Sequence, residues 1–195
     1  MQFREFPKMP RLSREIIITE KIDGTNASVF IQNEVLEEDI NDPTIIAIKD
    51  GLTMRVGSRT RWIIPGDDNY GFATWCLKNN DELFNLGEGH HFGEWWGSGV
   101  QHGYNLPKGE KRFSLFNVSR WNESRPQCCH VVPELYRGMF DTQNINEILE
   151  NLKQNGSVAA PGYMKPEGII IFYTAGNVGF KKTIERDETP KSLVK

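Results

Sequence analysis

Five short stretches of the chain carry residues whose types and spacing could do chemistry. The first is Glu20-Lys21-Ile22-Asp23-Gly24-Thr25-Asn26, a polar knot between the apolar runs 16–18 and 27–31. Lys21 is its candidate nucleophile. A lysine amine attacks phosphorus or carbonyl carbon only once its proton is gone, and a half-enclosed site with other cations nearby favours that loss. Asp23 adds a compact acceptor, and Gly24 lets the backbone approach a ligand closely. The same residues would also make a polar hairpin turn with a solvated lysine, so the string alone leaves both readings open.

The other four stretches share that ambiguity when taken singly. Gly57-Ser58-Arg59-Thr60-Arg61 places donors just past a strand end, where a solvated basic loop is the alternative. His91-Phe92-Gly93-Glu94-Trp95-Trp96-Gly97 sets a carboxylate inside an aromatic strand. Burying Glu94 there requires hydrogen bonds or a paired charge, whereas a strand edge facing water would leave it solvated. Glu167, in Pro166-Glu167-Gly168, stands at the mouth of the apolar run 169–172. Such an acid could hold a metal or hydrated metal, or serve a simple turn. Phe180-Lys181-Lys182-Thr183 ends a strand with two cations, which alone also read as exposed edge lysines.

The elements that must position these residues are mostly strands. Residues 16–18 and 27–32 suit strands on either side of the knot, and the acidic stretch 34–42 a loop closed by Pro43. Residues 45–48 and 54–57 form an expected hairpin across Lys49-Asp50-Gly51, because Asp-Gly supplies the positive φ a tight turn needs. A helix is expected over 72–84, where Phe72, Trp75, Cys76, Asn79 and Leu83 fall near helical spacing. Strands follow over 89–96, broken by Gly93, and over 112–118. A second helix over 145–153 has Asn144 as N-cap with Glu147 as its reciprocal acid, and Gly156 as its stop. Residues 169–173 read as a buried strand, with 178–183 as its hairpin partner across Ala175-Gly176-Asn177. Strands dominate with helices between them, so the expected class is α+β with a mainly antiparallel sheet.

The 195 residues suffice for a domain with a buried core. A net charge of −3 provides no global basic field, so any nucleic-acid contact must rest on a local patch. Candidates are Arg55, Arg59 and Arg61, then Lys108, Lys111 and Arg112, then Lys181 and Lys182. Three cysteines, Cys76, Cys128 and Cys129, make no disulfide framework, and an odd count fits a reducing compartment. Cys128-Cys129-His130 lacks the paired spacing of structural zinc sites and reads as packing. With no apolar signal core and no run near the roughly 20 apolar residues of a membrane span, the expected location is cytoplasmic, without a membrane partner.

Taken in order, the stretches resemble the covalent nucleotidyltransferase superfamily of ATP-dependent ligases and messenger-RNA capping enzymes. Lys21-Ile22-Asp23-Gly24 looks like its nucleophile motif, and Gly93-Glu94 with the following aromatics like its third. Glu167-Gly168 looks like the fourth and Phe180-Lys181-Lys182 like the fifth. Glu20 through Asn26 and Gly93-Glu94-Trp95-Trp96-Gly97 are most similar to the phage RNA ligases of the second type, over about residues 15–185.

The resemblance implies an ATP-grasp-like ligase adenylation domain, one nucleotidyltransferase domain over 1–195. Lys21 would attack the α-phosphate of ATP, expel pyrophosphate and form lysyl–AMP. Glu20, Ile22, Arg59, Glu94, Phe113, Glu167, Lys181 and Lys182 would bind ATP. Among them Glu94 would accept from the ribose hydroxyls, Phe113 would stack on adenine, and Glu167 would orient a hydrated Mg2+ or Mn2+. Lys181 and Lys182 would neutralise the α-phosphate. Asn26 and Arg59 would contact RNA, whose 5′-phosphate and 3′-hydroxyl ends are the implied partners; the resemblance leaves protein partners open.

Two features depart from the family pattern. The fifth motif usually spaces its lysines Lys-x-Lys; here they are adjacent, and neighbouring strand residues face opposite ways, so Lys181 is the expected pocket residue. No C-terminal OB-type or helical domain is expected after the fifth motif, which would put full three-step sealing in question. A DNA ligase, a capping guanylyltransferase-like enzyme, a non-catalytic nucleotide- or RNA-binding module and an unrelated structural domain are the alternatives.

Overall fold

In the structure, a computed structural model, residues 8–9, 14–33, 42–121, 123–185 and 187 are described; the expected acidic loop lies outside them except at Asp42. In chain order the strands begin with β1 (Glu15–Lys21), β2 (Thr25–Gln32), β3 (Ile45–Lys49), β4 (Leu52–Gly57) and β5 (Trp62–Ile63). Two short helices follow, α1 (Phe72–Lys78) and α2 (Asn80–Leu83), then β6 (Gly89–Gly97), β7 (Lys111–Leu115), β8 (Cys129–Val131) and β9 (Glu134–Met139). The long helix α3 (Thr142–Asn155) precedes β10 (Gly168–Tyr173) and β11 (Val178–Thr183). The chain divides into two compact units.

The first unit comprises residues up to Lys21, Glu134–Ser157 and residues from Met164. Its four-stranded sheet runs β11-β10-β1-β9, every pair antiparallel. Strict alternation on β1 sends Ile16, Ile18 and Glu20 to one face. There Ile16 and Ile18 meet Ile145, Leu149 and Leu152 of α3 with Ile169 and Ile171 of β10. Each such side chain contributes roughly 1.5–3 kcal/mol by leaving water. The helix starts earlier than the sequence suggests: Asp141, not Asn144, is the N-cap and accepts the Gln143 N–H at 2.8 Å. Asp141 and Asn144 both have capping side chains, and the first turn formed at the earlier one. Gly156 ends the helix at φ 82°, the left-handed stop expected of it.

The second unit comprises Ile22–Pro133 and Val158–Tyr163. Its sheet runs β3-β4-β2-β6-β7-β8, with β5 beside β4, and only β7–β8 is parallel. One face, bearing Ala27, Val29, Ile31, Met54, Val56 and Leu115, packs on Phe72, Ala73 and Cys76 of α1. The expected Asp50-Gly51 turn joins β3 to β4 with φ 50° and 78°, both positive as a twisted two-residue hairpin demands. The helix expected over 72–84 is instead two pieces. Asn79 turns its side-chain Nδ2 back to the Trp75 carbonyl at 2.8 Å and leaves helical geometry at φ −109°. That local competition with the backbone ladder breaks the helix. Among the described residues no helix is long and apolar enough to cross a membrane.

β1 and β2 are not partners. β1 pairs with β9 and β10, β2 with β4 and β6, so the knot at residues 20–26 is where the chain leaves one sheet for the other. A hairpin turn is thereby excluded.

Candidate active site

In the first unit, the pairing registers decide which side chains meet. Lys21 stands opposite Gly168, and Gly168 opposite Thr183; two residues back, Thr19 stands opposite Ile170 and Ile170 opposite Lys181. Directly paired residues share a face, so Lys21 and Lys181 project from the same side of the sheet. Glu20, Ile169 and Lys182 line up on the other side. Lys182 is drawn to Asp187, 3.5 Å away, while Lys181 is exposed. The adjacency of the two lysines therefore separates them, with no bulge between β10 and β11 to bring both round.

Lys21 Nζ is ion-paired with Glu167 Oε2, both side chains largely screened from solvent at 22% and 13% exposure. Glu167 precedes Gly168, where a β-carbon would come within 2.2 Å of the Lys182 carbonyl oxygen. Only glycine lets the three strands close there, and that closure sets Glu167 at the mouth beside Lys21. The Glu20 carboxylate is buried at 1% exposure and accepts the Ser157 hydroxyl at 2.5 Å. Satisfied in this way, it serves the interior.

In the second unit the loop that follows Lys21 is clamped. Glu94 sits opposite Asn26 on the neighbouring strand. Its carboxylate is buried yet doubly supplied: Oε1 accepts the Gly24 N–H at 3.0 Å and Oε2 the Asn26 Nδ2 at 3.3 Å. A β-carbon on Gly24 would lie 2.5 Å from the Trp95 carbonyl oxygen, so glycine is needed for this approach. The Asp23 N–H donates to the Tyr104 hydroxyl at 2.8 Å, and the Asp23 carboxylate meets His102 Nδ1 at 2.7 Å. Tyr104 has a left-handed backbone at φ 50°, uncommon for a bulky residue. Packing between Trp96 and Tyr163, with ring centroids 5.2 and 4.4 Å away, holds it there. Ile22 is buried in the same cluster.

Asn26, Ser28, Ser58, Arg59, Phe92 and Phe116 line a cleft of about 160 Å³ on the outward face of this sheet. The arrangement offers a cation, amide and hydroxyl donors and two rings: enough to hold a base and an anionic group.

A family model, RNA ligase, matches residues 14–184. The chain belongs to the RNA ligase family. No curated protein matches it. Similar solved structures include a Naegleria gruberi RNA ligase mutant with ATP and Mn, at TM-score 0.61 and 17% identity, covering 88% of this chain and 50% of that one. Another is the Naegleria gruberi RNA ligase with PPi, at TM-score 0.56 and 16% identity, covering 87% and 49%. At these identities the likeness concerns the fold, α+β with mainly antiparallel sheets as the sequence predicts, and the chain spans about half the length of those proteins.

Within this RNA ligase family member, three expected side-chain contacts with the ligand need correction. Phe113 cannot stack on adenine from where it lies: it is fully buried, 4.9 Å from Phe72 and 6.1 Å from Trp75 between ring centroids. Gly93 faces it so closely that a β-carbon would touch its ring at 2.6 Å. Phe116, three residues on and 41% exposed, lines the cleft together with Phe92. The Glu20 side chain likewise faces away from Lys21, and Ile22 offers only an apolar, buried side chain. The sequence reading missed Tyr104, His102, Ser157 and Phe116; Phe116 alone carried a signal, as a second aromatic beside Phe113.

Among the described residues no group of three or more His, Cys, Asp or Glu could hold a metal ion by itself. Mg2+ is commonly held through one or two carboxylates plus substrate phosphates, and Glu167, a part-buried carboxylate on the mouth of the sheet, suits that mode.

Proposed function

We propose that this chain catalyses the nucleotidyl-transfer chemistry of an ATP-dependent RNA ligase. Lys21 Nζ attacks the α-phosphorus of ATP; a nitrogen–phosphorus bond forms, the bond to the bridging oxygen breaks, and pyrophosphate leaves. AMP then passes from Lys21 to an RNA 5′-phosphate, and a 3′-hydroxyl displaces it to join the ends. The observation that carries this reading is Lys21 at the end of β1, paired with Glu167 and sharing its sheet face with Lys181.

The chain's own residues divide the work. An ammonium cannot attack, so the Lys21–Glu167 pair opens and Nζ sheds its proton before the bond to phosphorus forms. Lys181, on the same face, counters charge on the α-phosphate, and such preorganised charge is the larger part of phosphoryl-transfer catalysis. Glu94, oriented by Gly24 and Asn26, accepts from ribose hydroxyls, while Phe116 stacks on the base. Arg59 and Asn26, on the cleft, contact phosphate or the RNA end. Mg2+ or Mn2+ on Glu167 would add neutralising charge at the phosphates.

Incubation with α-labelled ATP and Mg2+ tests the proposal. Label should attach to the protein and vanish with Lys21→Ala; absence of label, or label surviving that substitution, would refute it. Nicked duplex RNA against single-stranded RNA then distinguishes the substrates.

A further inference from the structure

The outward face of the second unit's sheet carries a feature the nucleotide chemistry leaves unused. Alternation places Asn26, Ser28 and Phe30 of β2 on that face, paired with Glu94, Phe92 and His90 of β6. Gly57 pairs with both Ser28 and Trp62, which puts the Trp62 ring on the same side. Four rings therefore stand together where a solvated sheet would normally be polar. His90 lies 4.1 Å from Phe92, 5.8 Å from Trp62 and 5.4 Å from Phe30 between centroids, and Phe30 lies 5.8 Å from Trp62. Trp62 is 39% and Phe92 55% exposed. Partial burial holds the His90 imidazole below its usual pKa, so at neutral pH the ring is an uncharged stacking surface.

We infer that this aromatic strip is a stacking platform for the bases of a single-stranded RNA segment next to the nucleotide cleft. The inference rests on the RNA ligase reading above and adds where the polynucleotide lies. Three observations favour RNA as the occupant. The strip runs into the cleft through Phe92, which lines both. Exposed aromatic rings grip unpaired bases without demanding a sequence. Arg59 at the cleft supplies a phosphate partner, whereas Arg61 is tied to Asp67 at 2.6 Å and Arg55 to Asp42 at 3.0 Å. An apolar protein partner would not need a cation beside the rings.

The test uses the full chain and a 5′-phosphorylated single-stranded RNA with 5-iodouridine at successive positions from its 5′ end. Irradiation should crosslink the RNA to the peptides holding Trp62 or His90. Trp62→Ala and His90→Ala should each weaken RNA binding by roughly 5- to 150-fold, the range for one aromatic–base stack, while lysyl–AMP formation from labelled ATP stays at the wild-type level. That labelling reports both the fold of each variant and the parent reading, so a failure there is separate from a failure of the strip. Crosslinks confined to other peptides, together with unchanged RNA affinity in both variants, would overturn the inference. So would self-association that shields Trp62 from acrylamide quenching while RNA leaves it accessible.

Discussion

Phe113 and Phe116 give the sharpest way to challenge this structure, since a ring that packs and a ring that binds must fail differently. Phe113 is fully buried against Phe72 and Trp75, with Gly93 leaving no slack opposite. Phe113→Ala removes a whole ring from a close-packed site, a loss of about 3–5 kcal/mol. For a chain of this length each kcal/mol shifts Tm by about 2–4 °C, so unfolding should move down by roughly 6–20 °C. Phe116 is 41% exposed, and its truncation should lower stability by only about 1 kcal/mol. It should instead raise the Kd for ATP by roughly 5- to 150-fold, the worth of one base stack. Thermal unfolding followed by circular dichroism, and ATP titration well below both midpoints, read the two effects independently. A Phe113→Ala protein that melts within about 2 °C of wild type yet loses ATP would refute the reasoning, because the base would then lie on Phe113.

Further outcomes follow from other parts of the fold. Lys181→Ala should slow lysyl–AMP formation by about 10²–10³-fold, as loss of a preorganised charge does, while Lys182→Ala stays within a few-fold; equal effects would contradict the sheet register. Asp141→Ala should destabilise the first unit by about 1 kcal/mol through its lost cap, and Asn144→Ala by less than about 0.5 kcal/mol, measured by urea unfolding. Hydrogen bonds from the Thr44 hydroxyl and backbone N–H, then from Arg55, lower the Asp42 pKa to about 2. Its stabilising share is complete above the ordinary carboxylate range and fades as pH falls through about 2; an NMR titration midpoint near 4 would contradict that arrangement.

Much of the site was legible because its signals are local. The knot at 20–26 and the glycine after Glu167 each name a strand end by composition, Gly93-Glu94-Trp95 names a strand interior, and strands form at all three. Alternation was enough to separate Lys181 from Lys182, since a period of two needs no partner to define it. The short strands were less legible. β8 and β9 lie on either side of Pro133, are half exposed, and form because β7 and β1 offer them an edge. Asn79 breaks its helix through a side-chain bond that competes with an otherwise sound apolar period.

By itself the sequence determined the order of the motifs and the parity of each strand and singled out Lys21 as the nucleophile we propose, all from neighbours along the chain. Only the tertiary structure decided that the knot joins two different sheets, that Glu20 turns inward to Ser157, and that Phe116 rather than Phe113 meets solvent. Phe113 and Phe116 are alike in type and stand three residues apart; what encloses one ring and leaves the other open is Phe72, Trp75 and Gly93, brought from 20 to 41 residues away. Burial is set by such distant neighbours, and a linear pattern carries no record of them.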